Sequence, residues 1–131
     1  MMTSNWGWVS NEHRLYRQTV ERFFDDEVVP HERDWDVQGE VDRTLWNKGG
    51  EAGLLGASVP EEYGGFGGDF GFDAIFYEVQ GLTDAVSWGL PIHVIARNYI
   101  LEYGTEEQKR NWLPGLCSGD HVAALAMTET N

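Results

Sequence analysis

The stretch that decides the fold runs from Leu54 to Gly68 and reads LLGASVPEEYGGFGG. Pro60 lacks a backbone N–H and disfavours the helical conformation of the residue before it, so the stretch cannot be a long helix. Glycine pairs at 64–65 and 67–68 permit positive φ and close backbone approach. The sequence therefore predicts a tight loop, which is either a connector or a place where the backbone meets a ligand.

The composition is that of a single globular domain with an acidic surface. The 131 residues include 22 acidic and nine Lys or Arg side chains, which gives a formal net charge of −13. Binding to nucleic acid or to an anionic membrane requires positive charge, so neither partner is expected. The acidic surface is explained by solubility.

The N-terminus and the single cysteine indicate a cytoplasmic protein. Residues 1–6 lack the basic and apolar regions of a signal peptide, and no run of about 18 apolar residues is present to span a membrane. A lone Cys117 rules out an internal disulfide and fits a reducing compartment.

Apolar residues recur at helical spacing on both sides of the loop and predict an all-α fold of five helices in series. The ranges are 10–29, 42–53, 72–84, 90–103 and 105–113. Thr105 and Gln108 form a capping box for the last helix, and Pro114-Gly115 is expected to end it. Residues 31–40 are predicted to be irregular. Residues 122–127 have the length and apolarity of a strand, which requires partner strands to be stable.

The residues alone assemble no complete catalytic or metal site. The four histidines show no close metal-ligand spacing, so no metal is expected. Gly65, Gly67 and Gly71 are one residue away from the dinucleotide-binding spacing, but the flanking segments are helical on both sides. Cys117 lies four residues before His121, yet a buried or surface thiol explains it better than a nucleophile does.

Several motifs taken together resemble the acyl-CoA dehydrogenase family. They cover nearly the whole chain in order: VVP at 28–30, LW at 45–46, GLLG at 53–56, VPEEYGG at 59–65, GTEEQK at 104–109, WLP at 112–114 and AMTE at 126–129. The resemblance implies an N-terminal helical domain over residues 1–121. Residues 122–131 would begin the β middle domain, whose remaining strands lie outside this chain.

The same resemblance implies an enzyme that binds FAD and acyl-CoA and passes a hydride from the substrate to flavin N5. Its electron acceptor is an electron-transferring flavoprotein, and its usual state is a homotetramer. The catalytic carboxylate lies in the C-terminal domain, so no catalytic residue is expected here. A non-catalytic helical interaction module and an acyl-CoA oxidase remain alternatives.

By motif position, the resemblance makes Leu125, Met127 and Thr128 candidate FAD contacts, through backbone groups and the Thr128 hydroxyl. Core filling is an equal alternative for the side chains of Leu125 and Met127. Trp88 and Ile95 are candidate contacts of the acyl chain, with ordinary helix packing as the favoured alternative for both. Thr130-Asn131 departs from the family pattern, in which proline often follows the Thr-Glu pair.

Overall fold

The computed structural model describes residues 6–130, which form six α-helices and no β-strand. This confirms the all-α fold. The helices are α1 (Asn11–Phe23), α2 (Glu32–Gln38), α3 (Arg43–Glu51), α4 (Phe70–Thr83), α5 (Leu90–Tyr103) and α6 (Glu106–Ser118). None of them is long and apolar enough to cross a bilayer.

The helices α1 and α4 pack side by side and share a polar connection at their N-termini. Ser10 caps α1 in a reciprocal capping box with His13. The Nε2 atom of His13 lies 2.9 Å from the carboxylate of Asp69, which itself caps α4 by accepting from the Gly71 N–H at 2.8 Å. Since Ser10 N donates to His13 Nδ1, the His13 Nε2–H is the donor to Asp69. One histidine therefore fixes the start of α1 against the start of α4.

A π-helical turn over Phe24–Val28 and a 3₁₀ turn over Val29–His31 join α1 to α2. A π turn holds more residues than an α turn. Val20, Phe24 and Val28 are spaced four residues apart and all lie on the buried side, while Asp25 and Asp26 are exposed.

The main core is aromatic and centres on Trp88, which has no exposed surface. The rings of Phe23, Phe24, Trp46 and Phe76 surround Trp88, with centroids 5.6–6.1 Å from it. Aromatic side chains bury the largest areas per residue, so this cluster contributes much of the packing energy.

Residues 31–40 were predicted to be irregular, and that prediction was wrong. Residues Glu32–Gln38 form α2. Trp35 is buried in the core, and the Glu32 carboxylate accepts from the backbone N–H groups of Val86 and Ser87 at 3.0 and 2.9 Å. Tertiary contacts from one apolar residue and one carboxylate stabilise a helix whose local sequence is polar.

The end of the last helix was also predicted wrongly. Helix α6 passes through Pro114 and ends at Ser118, where Gly119 adopts φ 85°. Leu113, Leu116 and Cys117 of α6 pack on Val59 and Tyr63 in a second apolar cluster. The burial of this last turn offsets the ~3 kcal/mol that proline costs inside a helix.

The loop over residues 54–68 folds back on itself. Backbone N–H groups of Phe66, Gly67 and Gly68 donate to the carbonyls of Gly56, Val59 and Ala57. A Cβ at Gly65 would overlap the Val59 carbonyl, which explains why glycine is required there. The loop joins α3 to α4, which is the connector role of the two considered, and it also packs on α6, which the sequence did not predict.

Residues 122–130 form no strand, so the strand predicted for 122–127 is absent from this structure. The segment leaves α6 without regular structure, and a single strand without partners is not stable. The division of the chain at residue 121 stays a prediction.

Candidate functional site

Helix α5 exposes apolar side chains that sequence periodicity would place in a core. Ile92, Ile95, Tyr99 and Tyr103 recur every three or four residues, and they are 44%, 40%, 55% and 78% exposed. We call these four residues the α5 apolar face. Two clefts of about 350 and 460 Å³ flank it and share Tyr99 and Tyr103 in their walls. The face thus offers an elongated apolar surface with adjoining concavities.

The opposite side of α5 is buried and partly polar. Arg97 has no exposed surface, and its Nη2 atom lies 2.9 Å from the Asp73 carboxylate of α4 and 2.8 Å from Ser58 Oγ. Its Nη1 atom donates to the Leu55 carbonyl of the loop. These contacts fix the rotation of α5 about its axis, and so they determine which residues the apolar face presents.

The same ion pair lies near two partly buried tyrosines, Tyr16 and Tyr77. Burial raises the pKa of the Tyr16 hydroxyl, and the nearby Asp73 carboxylate raises it further. Burial likewise raises the pKa of Tyr77. Both phenols are therefore neutral at physiological pH, and neither is placed to act as a base.

His93 connects α5 to the end of α6 and to the segment that follows it. Its Nε2 atom lies 2.9 Å from the Leu116 carbonyl, and its Nδ1 atom lies 3.1 Å from the Ala123 backbone nitrogen. The ring packs against Trp46 at a centroid distance of 5.1 Å. Burial lowers the pKa of His93 to about 4. The ring is consequently neutral near pH 7, with its proton on Nε2 and its lone pair on Nδ1.

The structure separates the two predicted acyl-chain contacts. Ile95 lies on the α5 apolar face, whereas Trp88 has no exposed surface with which to contact a ligand. Trp88 is therefore a packing residue of the core and presents no surface to a substrate. Tyr99 and Tyr103 take its place in the candidate substrate wall. Sequence reasoning did not select these two tyrosines, and the signal that could have found them is their helical spacing from Ile95.

The predicted cofactor residues lie together in the segment after α6. Leu125 is partly buried, Thr128 is exposed, and Met127 is 81% exposed. Within the described part of the chain, the backbone groups of residues 124–130 form no hydrogen bonds. A flavin ring has alternating donors and acceptors along its pyrimidine edge, so free backbone groups and a hydroxyl are chemically suited to hold it.

Within residues 6–130, no three His, Cys, Asp or Glu side chains lie close enough together to hold a metal ion. The thiol of Cys117 is buried against Gly56, and burial raises its pKa to about 11. This environment disfavours the thiolate that a nucleophile requires.

Comparison with known proteins agrees with the fold and with the motifs. The family described as "Acyl-CoA dehydrogenase, N-terminal domain" matches residues 10–120. The long-chain specific acyl-CoA dehydrogenase of Sus scrofa mitochondria is 42% identical over 121 residues, which cover 92% of this chain and 28% of that protein.

Two solved structures superpose closely. The acyl-CoA dehydrogenase of Geobacillus kaustophilus gives a TM-score of 0.87 at 36% identity, covering 93% of this chain and 32% of that one. The acyl-CoA dehydrogenase of Bacillus anthracis, complexed with FAD, gives a TM-score of 0.82 at 38% identity. The match covers 94% of this chain and 21% of that one. The chain thus spans less than a third of the length of each of these relatives. It belongs to the acyl-CoA dehydrogenase family and corresponds to the family's N-terminal helical domain.

Proposed function

We propose that the chain forms the N-terminal domain of an FAD-dependent acyl-CoA dehydrogenase and encloses the acyl chain of the substrate. The observation that carries this proposal is the α5 apolar face, which the rest of the described chain leaves uncovered. When bound, FAD supplies the hydride acceptor for α,β-dehydrogenation. The domain's own contribution is to bind the acyl chain, orient it and exclude water.

The dimensions of the face suit an extended acyl chain. Ile92 and Tyr103 are 11 positions apart on one helix, which corresponds to about 16 Å along the axis. The four side chains of the face are uncharged, although Glu102 lines the adjoining cleft beside Ile95 and Tyr99. Burying methylenes against the face yields about 0.8 kcal/mol for each. The similarity to a relative named for long-chain specificity makes long acyl chains our proposed substrate class.

Leu125, Met127 and Thr128 would hold FAD through backbone groups and the Thr128 hydroxyl. The catalytic base would be a residue outside positions 1–131. We further propose an electron-transferring flavoprotein as acceptor, a homo-oligomeric holoenzyme and a cytoplasmic location. The chain alone should bind FAD weakly and show no dehydrogenase activity, and measurable acyl-CoA oxidation by purified residues 1–131 would contradict that.

The test introduces a charge on the proposed acyl-binding surface. In the FAD-loaded enzyme that carries this domain, Ile95→Glu should raise KM for palmitoyl-CoA at least tenfold, because the carboxylate must be desolvated beside the acyl chain. Thermal stability should hardly change, since Ile95 is already 40% exposed. The matched control is Leu15→Glu, which adds the same charge at an exposed apolar position of α1. Equal KM values for the two variants would refute the proposal.

A further inference from the structure

We propose that His93 is a positioning residue for the cofactor: it sets the register of the segment that carries Leu125, Met127 and Thr128. This inference rests on the proposed function, because it takes those three residues as the FAD contacts. His93 itself touches no part of the predicted site. It acts through the backbone of Ala123, two residues before Leu125.

The Ala123–His93 hydrogen bond is the last one that the segment makes. Before it, the Gly119 and His121 N–H groups both donate to the Gly115 carbonyl at the end of α6. After Ala123, no backbone or side-chain hydrogen bond joins residues 124–130 to the remainder of the described chain. The direction in which the segment leaves the domain is therefore set at His93.

The register of this segment matters because buried and exposed residues alternate along it. Ala123 and Leu125 are partly buried, while Ala124 and Ala126 are exposed. In extended backbone, successive side chains point to opposite sides, so a slip of one residue exchanges the two faces. Fixing the Ala123 N–H on His93 turns Leu125 toward the domain. The same register determines which backbone groups of residues 124–128 face outward to a ligand.

A buried neutral histidine is well suited to this task because it presents a donor and an acceptor on opposite sides of one rigid ring. Nε2–H donates to the Leu116 carbonyl and Nδ1 accepts from the Ala123 N–H. The ring is fully buried and packs on Trp46, so its orientation is fixed from a third side. It thus transmits the position of α6 to the segment.

Two isosteric substitutions separate the two hydrogen bonds. In His93→Asn, the Oδ1 atom lies near the position of Nδ1 and keeps an acceptor for Ala123, but the donor to Leu116 is lost. In His93→Gln, the Nε2 atom keeps the donor to Leu116, but the acceptor for Ala123 is lost. Each variant retains one bond, so similar thermal stabilities are expected. A difference in FAD binding between them then shows which of the two hydrogen bonds matters for the cofactor.

The experiment titrates FAD into the apo form of the complete enzyme and measures amide hydrogen exchange at Ala123 in parallel. We expect His93→Gln to bind FAD about tenfold more weakly than wild type and to exchange the Ala123 amide faster. His93→Asn should stay within about threefold of wild type in affinity and should keep the amide protected.

Equal FAD affinities for the Gln variant and wild type would overturn the inference while leaving the proposed function intact. A larger loss in the Asn variant than in the Gln variant would also overturn it, because the Leu116 bond would then be the important one. If the wild-type enzyme does not bind FAD, the proposed function fails, and this inference fails with it.

Discussion

Replacing Arg97 by methionine should be among the most destabilising changes in this domain. The guanidinium is fully buried and donates to the Asp73 carboxylate, to Ser58 Oγ and to the Leu55 carbonyl. Arg97→Met leaves Asp73, which is 2% exposed, as a buried carboxylate without its cation. Breaking a buried pair in this way costs about 3–5 kcal/mol.

Urea unfolding followed by tryptophan fluorescence would measure the loss. With an m-value of about 1.5 kcal/mol/M, the expected change lowers the midpoint by about 2–3 M. Arg110→Met is the matched control, because Arg110 is exposed and its ion pairs with Glu62 and Glu106 are loose, at 3.9 and 3.7 Å. That variant should change stability by less than about 0.5 kcal/mol.

The double variant Arg97→Met/Asp73→Leu tests the physical reason directly. If the loss comes from an unpaired buried charge, removing the carboxylate as well should recover at least half of it, since apolar replacements of buried ion pairs are often neutral. A midpoint for Arg97→Met within about 0.5 M of wild type would refute the reasoning, because at this m-value it corresponds to less than about 1 kcal/mol. So would a double variant that is no more stable than the single one.

Three further predictions concern the loop, the thiol and the buried histidine. Gly65→Ala should lower the free energy of unfolding by about 2 kcal/mol, because its Cβ meets the Val59 carbonyl, whereas Gly81→Ala, with open space around it in α4, should be neutral or stabilising in the same urea titration. With a pKa of about 11, Cys117 should resist a thiol reagent at pH 8 until urea unfolds the chain, and rapid labelling of the native protein would contradict its burial. Because the folded pKa of His93 lies near 4, below the ordinary 6.5, the unfolded chain binds more protons between these values. Stability should therefore fall by about 2 kcal/mol more from pH 7 to pH 5 in wild type than in His93→Asn, and parallel pH profiles would contradict this.

Local rules succeeded where the deciding contacts are local. The Thr105–Gln108 capping box forms as predicted, because it is closed by residues three positions apart. The Asp69 cap of α4 is equally local, since its acceptor binds the backbone two residues on. The loop at 54–68 was recognised from Pro60 and its glycine pairs for the same reason. The contact of the loop with α6 was not predicted, because no residue of the loop itself specifies the surface on which it packs.

The failures have tertiary causes. Helix α2 exists because Trp35 enters the core and Glu32 binds the backbone at Val86 and Ser87, more than 50 residues away. Helix α6 continues through Pro114 because its last turn packs on Val59. Propensity alone cannot anticipate either stabilisation.

The candidate site was only partly predictable. Ile92, Ile95 and Tyr99 recur at helical spacing in the sequence, but periodicity cannot tell whether such a face contacts a core or a ligand. The opposite face of α5 carries His93 and Arg97 among apolar residues, and both side chains form buried hydrogen bonds within the domain. Because that face was already buried, the apolar stripe had to point outward.

The π-helical turn at Phe24–Val28 has a consequence for how this region varies among relatives. Phe24 and Val28 are both buried, and the π turn that joins them holds one residue more than an α turn. Deleting one exposed residue, Asp25 or Asp26, would convert the turn to α-helical spacing, and the two apolar residues would still share a face three positions apart. We therefore expect some related sequences to be one residue shorter between the positions of Phe24 and Val28, with both apolar residues retained.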